Sequence, residues 1–211
     1  MSDDRVRKSR SEQATASQKR CAWAGEDPVY VRHHDVEWGV PVYDSRALWE
    51  HLVLDGFQAG LSWHTVLLKR DNFRLAFAGF EPKKVARFDA KDIDRLLGDS
   101  GIIRSRVKIG SAISNARAFL TLRENGHEFS EWIWSFVGGA SIQNAWTNQE
   151  DVPTETPLSA EISKALKAEG FKFVGPTIVY AWMQAVGLVN DHVSSCFRYR
   201  EVERLASRPH R

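Results

Sequence analysis

The chain has 211 residues, 43% of them hydrophobic and 27% charged, which suffices for one sizeable core and excludes a fibre or a disordered polymer. No run approaches the roughly 18 consecutive apolar residues of a membrane span, and the opening MSDDRVRKSR lacks the apolar stretch of a secretory leader. A soluble, cytoplasmic protein is therefore expected. Two cysteines, Cys21 and Cys196, make at most one disulfide, so a secreted disulfide scaffold is also excluded.

The formal net charge of +2 is unevenly spread. Six basic against three acidic residues give the first 20 residues +3, and five against two give the last 14 residues +3, leaving −4 for the stretch between. Basic tails suit contact with phosphates and suit solubility equally well.

Residues 1–20 contain almost no large apolar side chain and read as a disordered arm, so the fold is expected to begin near Cys21. From Asp44 onward apolar residues recur at helical spacing between short Gly, Asp or Pro breaks. In DSRALWEHLVLDG, Asp44 or Ser45 caps a helix, Leu48 and Leu52 share a stripe with Asp55, and Gly56 is placed to end it. Further helices are predicted at 62–69, 71–78, 82–87, 89–97, 105–123 and 128–137. A polar loop then runs from Gly138 to about Pro157. The last two helices span 159–168, stopping at Gly170, and 176–186, stopping at Gly187. No strand alternation or internal repeat stands out. The expected class is all-α, with a single domain over 21–197 and a basic tail over 198–211.

Gly170 and Gly175 bound a turn between the last two helices, and Pro176 suits the first turn of the second. Free backbone N–H groups there, with Lys172 nearby, fit a phosphate. An ordinary helical turn explains the same glycines.

His192 and Cys196, in DHVSSC, stand one turn apart if helical, and Cys21 and His34 bracket CAWAGEDPVYVRHH. Two Cys and two His make a closed tetrahedral set for zinc, which points to structure rather than catalysis. Buried free thiols are the plainer alternative, and His33 rivals His34 as a ligand on spacing. A metallohydrolase would need an open metal position, which four protein ligands deny.

The segment LDGFQAGLSW, residues 54–63, sets a carboxylate, two glycines, a Gln and a Trp in apolar surroundings. A carboxylate on an apolar stripe must find a hydrogen bond, a cation or a proton. Asp55 bonding nearby backbone at a helix end would meet that need. Together with Trp23, Trp38 and Trp63 it would also box a flat cationic ring, each aromatic face contributing roughly 0.5–2 kcal/mol.

The motifs CAW, DPVY, HDVEWGVP, GFQAGLSWHTVLLKR, GIIRSRVKI, NARAF, WSFV, GFKFVGPT and GLVNDHV resemble, in order, those of the bacterial 3-methyladenine DNA glycosylase I family, from about Cys21 to Cys196. The resemblance implies an all-α helix-hairpin-helix fold, with the hairpin motif at about 159–187. It also implies one structural zinc on Cys21, His34, His192 and Cys196. It implies excision of 3-methyladenine from double-stranded alkylated DNA by a monomer, releasing the free base and leaving an abasic site, with no lyase step and no membrane. It makes Trp63 the platform for a flipped base, Trp23 and Trp38 walls, Gln58, Gly60 and Leu61 the segment filling the gap in the stack, and Lys172, Gly175 and Thr177 the DNA-gripping hairpin.

Two departures from the family stand out, and a third point concerns the wider superfamily, whose V-D-x-H carboxylate the resemblance implies this family does without. Asp55 occupies the place of the family's pocket glutamate, shorter by one methylene, and His33 that of a pocket tyrosine. A protonated His33 would oppose a cationic lesion. Many helix-hairpin-helix glycosylases carry a carboxylate in V-D-x-H, where this chain reads VNDH, with Asn190 in the slot and Asp191 one residue later. A non-catalytic lesion binder on the same fold is the rival reading.

Overall fold

The computed structural model describes residues 18–206. The expected disordered arm lies outside the described residues for 1–17, as do the last five residues of the tail. Ten α-helices are present among the described residues, with one very short parallel bridge. They are α1 Pro28–Val36, α2 Ser45–Gln58, α3 Trp63–Ala76, α4 Pro82–Val85, α5 Ala90–Gly98, α6 Arg106–Glu124, α7 Phe129–Ser135, α8 Pro157–Ala168, α9 Pro176–Ala185 and α10 Phe197–Ala206.

α2 is the axis of the molecule. Asp44 caps it by accepting from Ala47 N at 2.8 Å, and Leu48, Trp49, Leu52, Val53 and Phe57 are buried along it. These meet Phe73 of α3, Ile109 and Ala112 of α6, and Val179 and Met183 of α9 in one core. Such continuous burial on several faces makes α2 a central helix rather than a surface one.

Gly56 does not end α2, as the sequence suggested, and Asp55 is not at a helix end: the helix runs on to Gln58. Gly56 is instead buried where a Cβ would come within 3.3 Å of Phe173 Cβ, so its missing side chain serves packing. The two helices expected at 62–69 and 71–78 are one, α3, because LKRDN contains no residue that breaks a helix. Ser62 caps it, accepting from Thr65 N at 3.3 Å.

The absence of strands is corrected in one place. Within the expected polar loop, β1 (Ile142–Gln143) pairs in parallel with β2 (Val189–Asn190). Two residues per strand leave no alternation to detect. The boundaries at both ends also move. Phe197 N donates to Lys19 O at 2.9 Å and Arg20 pairs with Asp35, so the last residues assigned to the arm belong to the domain. The expected basic tail begins as α10, which buries Arg198, Tyr199 and Val202.

Gly187 follows the Val186 cap of α9, and its φ of +73° suits glycine. The extended stretch after α1 is sealed against that end, Gly39 N donating to Gln184 O at 3.1 Å and Val42 N to Val186 O at 3.0 Å. A Cβ on Gly187 would lie 2.6 Å from Gly39 O, Val40 C and Pro41 N. Gly187→Ala is therefore expected to lower unfolding free energy by about 2–4 kcal/mol, read from urea midpoints. A loss under 1 kcal/mol would show that this seam gives way freely.

Candidate functional site

Trp23, Tyr30, His33, Trp38, Asp55 and Trp63 converge on a cavity of about 280 Å³. That is the small end of ligand sites, roughly 300 Å³ and upward, and suits one flat ring system. Trp23 crosses Trp38 edge to face at 5.0 Å and Tyr30 at 6.0 Å. Gln58 closes one side, and Gln149, Ala181, Gln184 and Ala185 complete the lining.

Asp55 is only 4% exposed. Its Oδ2 has no hydrogen-bond partner, and burial pushes its pKa well above the ordinary carboxylate range. The helix-terminal role that would have satisfied it is absent. The cavity thus contains an unpartnered acid among aromatic faces.

His33 is buried beside it, and both ring nitrogens are engaged. Trp63 Nε1–H donates to His33 Nε2 at 3.0 Å, so the proton sits on Nδ1 and goes to Glu37 Oε2 at 2.9 Å. This is the neutral tautomer, so the imidazole sets no charge against a cationic guest in this arrangement. Arg70 holds Glu37 with two bonds of 2.5 and 2.9 Å. Burial would raise Glu37, but Arg70 and then His33 outweigh it and hold the carboxyl well below its usual range. The chain Arg70, Glu37, His33, Trp63 fixes the indole plane from outside the cavity. His33 is accordingly no metal ligand.

Cys21, His34, His192 and Cys196 are all buried, and one ligand atom from each lies within 4.8 Å of the others. The cluster could hold a metal ion. Asp35 Oδ1 accepts from His34 Nδ1 at 2.8 Å, turning His34 Nε2 inward. Trp38 O accepts from His192 Nε2 at 3.1 Å, turning His192 Nδ1 inward. The two thiols share one buried cluster, where the neighbouring Cys21, His192 and His34 hold the Cys196 thiol low while Cys196 and burial push Cys21 up. None of the four lines the cavity, yet Trp23 and Trp38, which do, pack on His34 and His192 at 5.3 and 4.7 Å.

The stretch around Asn190 is structural. Asn190 is buried, donating to Gln143 Oε1 and Tyr199 O. Asp191 accepts from Asn144 and Trp146 on one oxygen and from Tyr180 and Gln184 on the other, all at 2.6–2.8 Å. Neither lines the cavity, so Asp55 is its single carboxylate among the described residues.

Of the residues expected at a nucleic acid, Gln58 alone lines the cavity; Gly60 takes a φ of +78°, and Leu61 is 44% exposed. Lys172 is exposed, Gly175 precedes α9 without any side-chain cap, and Thr177 gives its hydroxyl to Glu155 at 3.0 Å. That carboxylate sets a negative charge beside the hairpin.

The family model for methyladenine glycosylase matches residues 23–199. The chain belongs to the methyladenine glycosylase family. It is 51% identical to DNA-3-methyladenine glycosylase 1 of Escherichia coli K12 over 86% of this chain and 97% of that one. It is 49% identical to the DNA-3-methyladenine glycosylase of Haemophilus influenzae, over 84% and 96%. A Staphylococcus aureus 3-methyladenine DNA glycosylase I, solved to explain 3-methyladenine recognition, superposes with a TM-score of 0.83 at 36% identity, covering 92% of this chain and all of that one. The expected helical fold thus holds, shared with the solved 3-methyladenine DNA glycosylase I structures.

Sequence reasoning missed Tyr30, Gln149, Ala181, Gln184 and Ala185. Tyr30 stands three before His33 on α1, and Gln184 is the one polar side chain in the apolar run IVYAWMQA, with Ala181 and Ala185 on its face. Those spacings were usable signals. Gln149, in an irregular loop, had none.

The Asp55 carboxyl makes the folded state bind a proton that the unfolded chain releases near the ordinary carboxylate range. Stability without ligand is therefore expected to fall as pH rises from that range through the raised Asp55 value. Asp55→Asn should flatten that slope and be the more stable protein at the alkaline end. Equal slopes in urea titrations across pH would show that Asp55 is ionised and paired throughout.

Proposed function

We propose that the chain is a DNA-3-methyladenine glycosylase, hydrolysing the bond between the damaged base and deoxyribose to leave free base and an abasic site. Asp55 carries this reading: a buried, unpartnered acceptor inside an aromatic cavity the size of one base.

Methylation at ring nitrogen 3 leaves the adenine in the strand cationic. Tryptophan faces attract that charge, and Asp55, once it gives up its proton to solvent, accepts from the exocyclic amine and balances the ring. A neutral, unmodified purine supplies no such charge and would leave the acid buried without compensation. The same methylation weakens the glycosidic bond, so the base departs as a neutral leaving group and water captures the sugar cation. In this assignment Trp63, fixed by His33, is the stacking platform, with Trp23 and Trp38 as walls. Gln58, Gly60 and Leu61 enter the stack of a double-stranded substrate, and the hairpin at Lys172, Gly175 and Thr177 rests on its backbone.

We infer that the cluster takes one zinc ion. A tetrahedron with Zn–S of about 2.3 Å and Zn–N of about 2.0–2.1 Å has S···N edges of about 3.6 Å. The cluster has Cys21 Sγ to His192 Nδ1 at 3.5 Å, Cys196 Sγ to His192 Nδ1 at 3.6 Å and Cys196 Sγ to His34 Nε2 at 3.4 Å. Four protein ligands close it, so it ties the two ends of the domain together and takes no part in hydrolysis.

Chromatography of bases released from methylated DNA is expected to show 3-methyladenine, with Asp55→Asn slower by about 100-fold. Retention of damaged DNA without release of any base would make the chain a lesion binder instead. Asp35→Ala should weaken zinc by about 10- to 100-fold, measured by chelator competition. An unchanged affinity would show that His34 needs no external orientation.

A further inference from the structure

The two segments assigned to the DNA come from distant parts of the chain, yet a duplex fits only one spacing between them. Both are anchored to the same helix. Lys108, in the first turn of α6, donates from Nζ to Phe57 O at 2.9 Å and to Ala59 O at 2.5 Å. These carbonyls sit where α2 ends, flanking Gln58. The cation therefore caps the carboxyl end of α2, the end of a helix that favours positive charge. Next to it Leu61 N closes a tight turn onto Gln58 O at 2.6 Å.

Two helical turns further along α6, Asn115 grips the hairpin. Its Nδ2 donates to Lys172 O at 2.9 Å and its Oδ1 accepts from Lys172 N at 2.8 Å. The next residue, Phe173, has a φ of +55°, a left-handed conformation rare without glycine. Strain of that kind persists only where neighbours hold it. Asn115 is 3% exposed, so its amide serves this clamp and not solvent. Seven residues separate Lys108 from Asn115, which puts them on one face. Phe57, Lys108, Asn115 and Phe173 line a single cleft, and Gly56 lets Phe173 close on α2.

We propose that Lys108 and Asn115 are positioning residues that use α6 as a rigid spacer, fixing the distance between the stack-entering turn at 58–61 and the hairpin at 170–175. Neither lines the base cavity. Their contribution is to order both loops before DNA arrives, so that binding does not have to order them.

This inference rests on the glycosylase reading, and its test separates the two. Two affinities are measured for the parent chain, Lys108→Met and Asn115→Asp: that for a duplex carrying a tetrahydrofuran abasic analogue, and that for free 3-methyladenine by tryptophan fluorescence. Both variants are expected to bind the duplex about tenfold more weakly while free-base affinity stays within about twofold, and Lys108→Arg should restore duplex binding. If Asn115→Asp fails to fold, Lys108→Met, on a part-exposed helix face, gives the answer alone. Duplex affinity equal to that of the parent, or a parallel loss of free-base affinity, would overturn the proposal. Failure of the parent to release 3-methyladenine would instead sink the glycosylase reading.

Discussion

The cluster of two cysteines and two histidines is the constraint on which the site depends. It gathers Cys21 and His34, from the beginning of the domain, with His192 and Cys196 from its last segment. Closing so long a loop is costly for a free chain, and the cost rises only slowly with length once a cross-link is made. Two cavity walls ride on this junction. Trp23 follows Cys21 by two residues and packs on His34, and Trp38 offers its carbonyl to His192. Loosening the cluster therefore loosens half of the aromatic box without touching any residue on the opposite side.

Magnitudes explain why a carboxyl stands in that box. Aromatic faces alone favour a cation by about 0.5–2 kcal/mol each, a modest discrimination against the neutral bases that outnumber any lesion. An ionised carboxylate buried without a partner costs several kcal/mol, which a cationic guest relieves and a neutral one does not. In the proposed reading Asp55 is the larger lever: ionising it inside the cavity is opposed by burial, and only a cationic guest offsets that cost. The other buried carboxylate of the central helix, Glu50, is held by Arg74 at 2.6 Å, so Asp55 is the one carboxyl left without a partner there. His33 sets no repulsion against a cation where Trp63 and Glu37 select its neutral tautomer.

The helical architecture was legible because amphipathic spacing and capping residues such as Asp44, Ser62 and Ser105 act locally. The metal ligands were legible as a set because both cysteines lie near histidines. Choosing between His33 and His34 was not, since adjacent residues differ only in which way the helix turns them. Gly56 misled because glycine ends helices and also permits close packing, and only the far partner, Phe173, decides which. α10 hid behind its arginines: Arg198 is buried although charged, and pairs with Glu201. The parallel bridge at 142–143 and 189–190 is too short to leave a pattern.

The stretch VNDH shows how one motif position can be given over to structure. Asp191 has four donors on its two oxygens, among them the Tyr180 hydroxyl, whose titration is pushed up by burial and by that same carboxylate. A carboxylate so fully used has no lone pair left for a sugar cation or a water. It does hold Gln184, a cavity residue, and it joins α9 to the loop carrying Asn144 and Trp146. A glycosylase acting on neutral bases must stabilise a poor leaving group and gains from an anion near the sugar. An enzyme whose substrate is already cationic gains more from holding the base, and Asp55 is the one carboxyl among the described residues that lines the cavity.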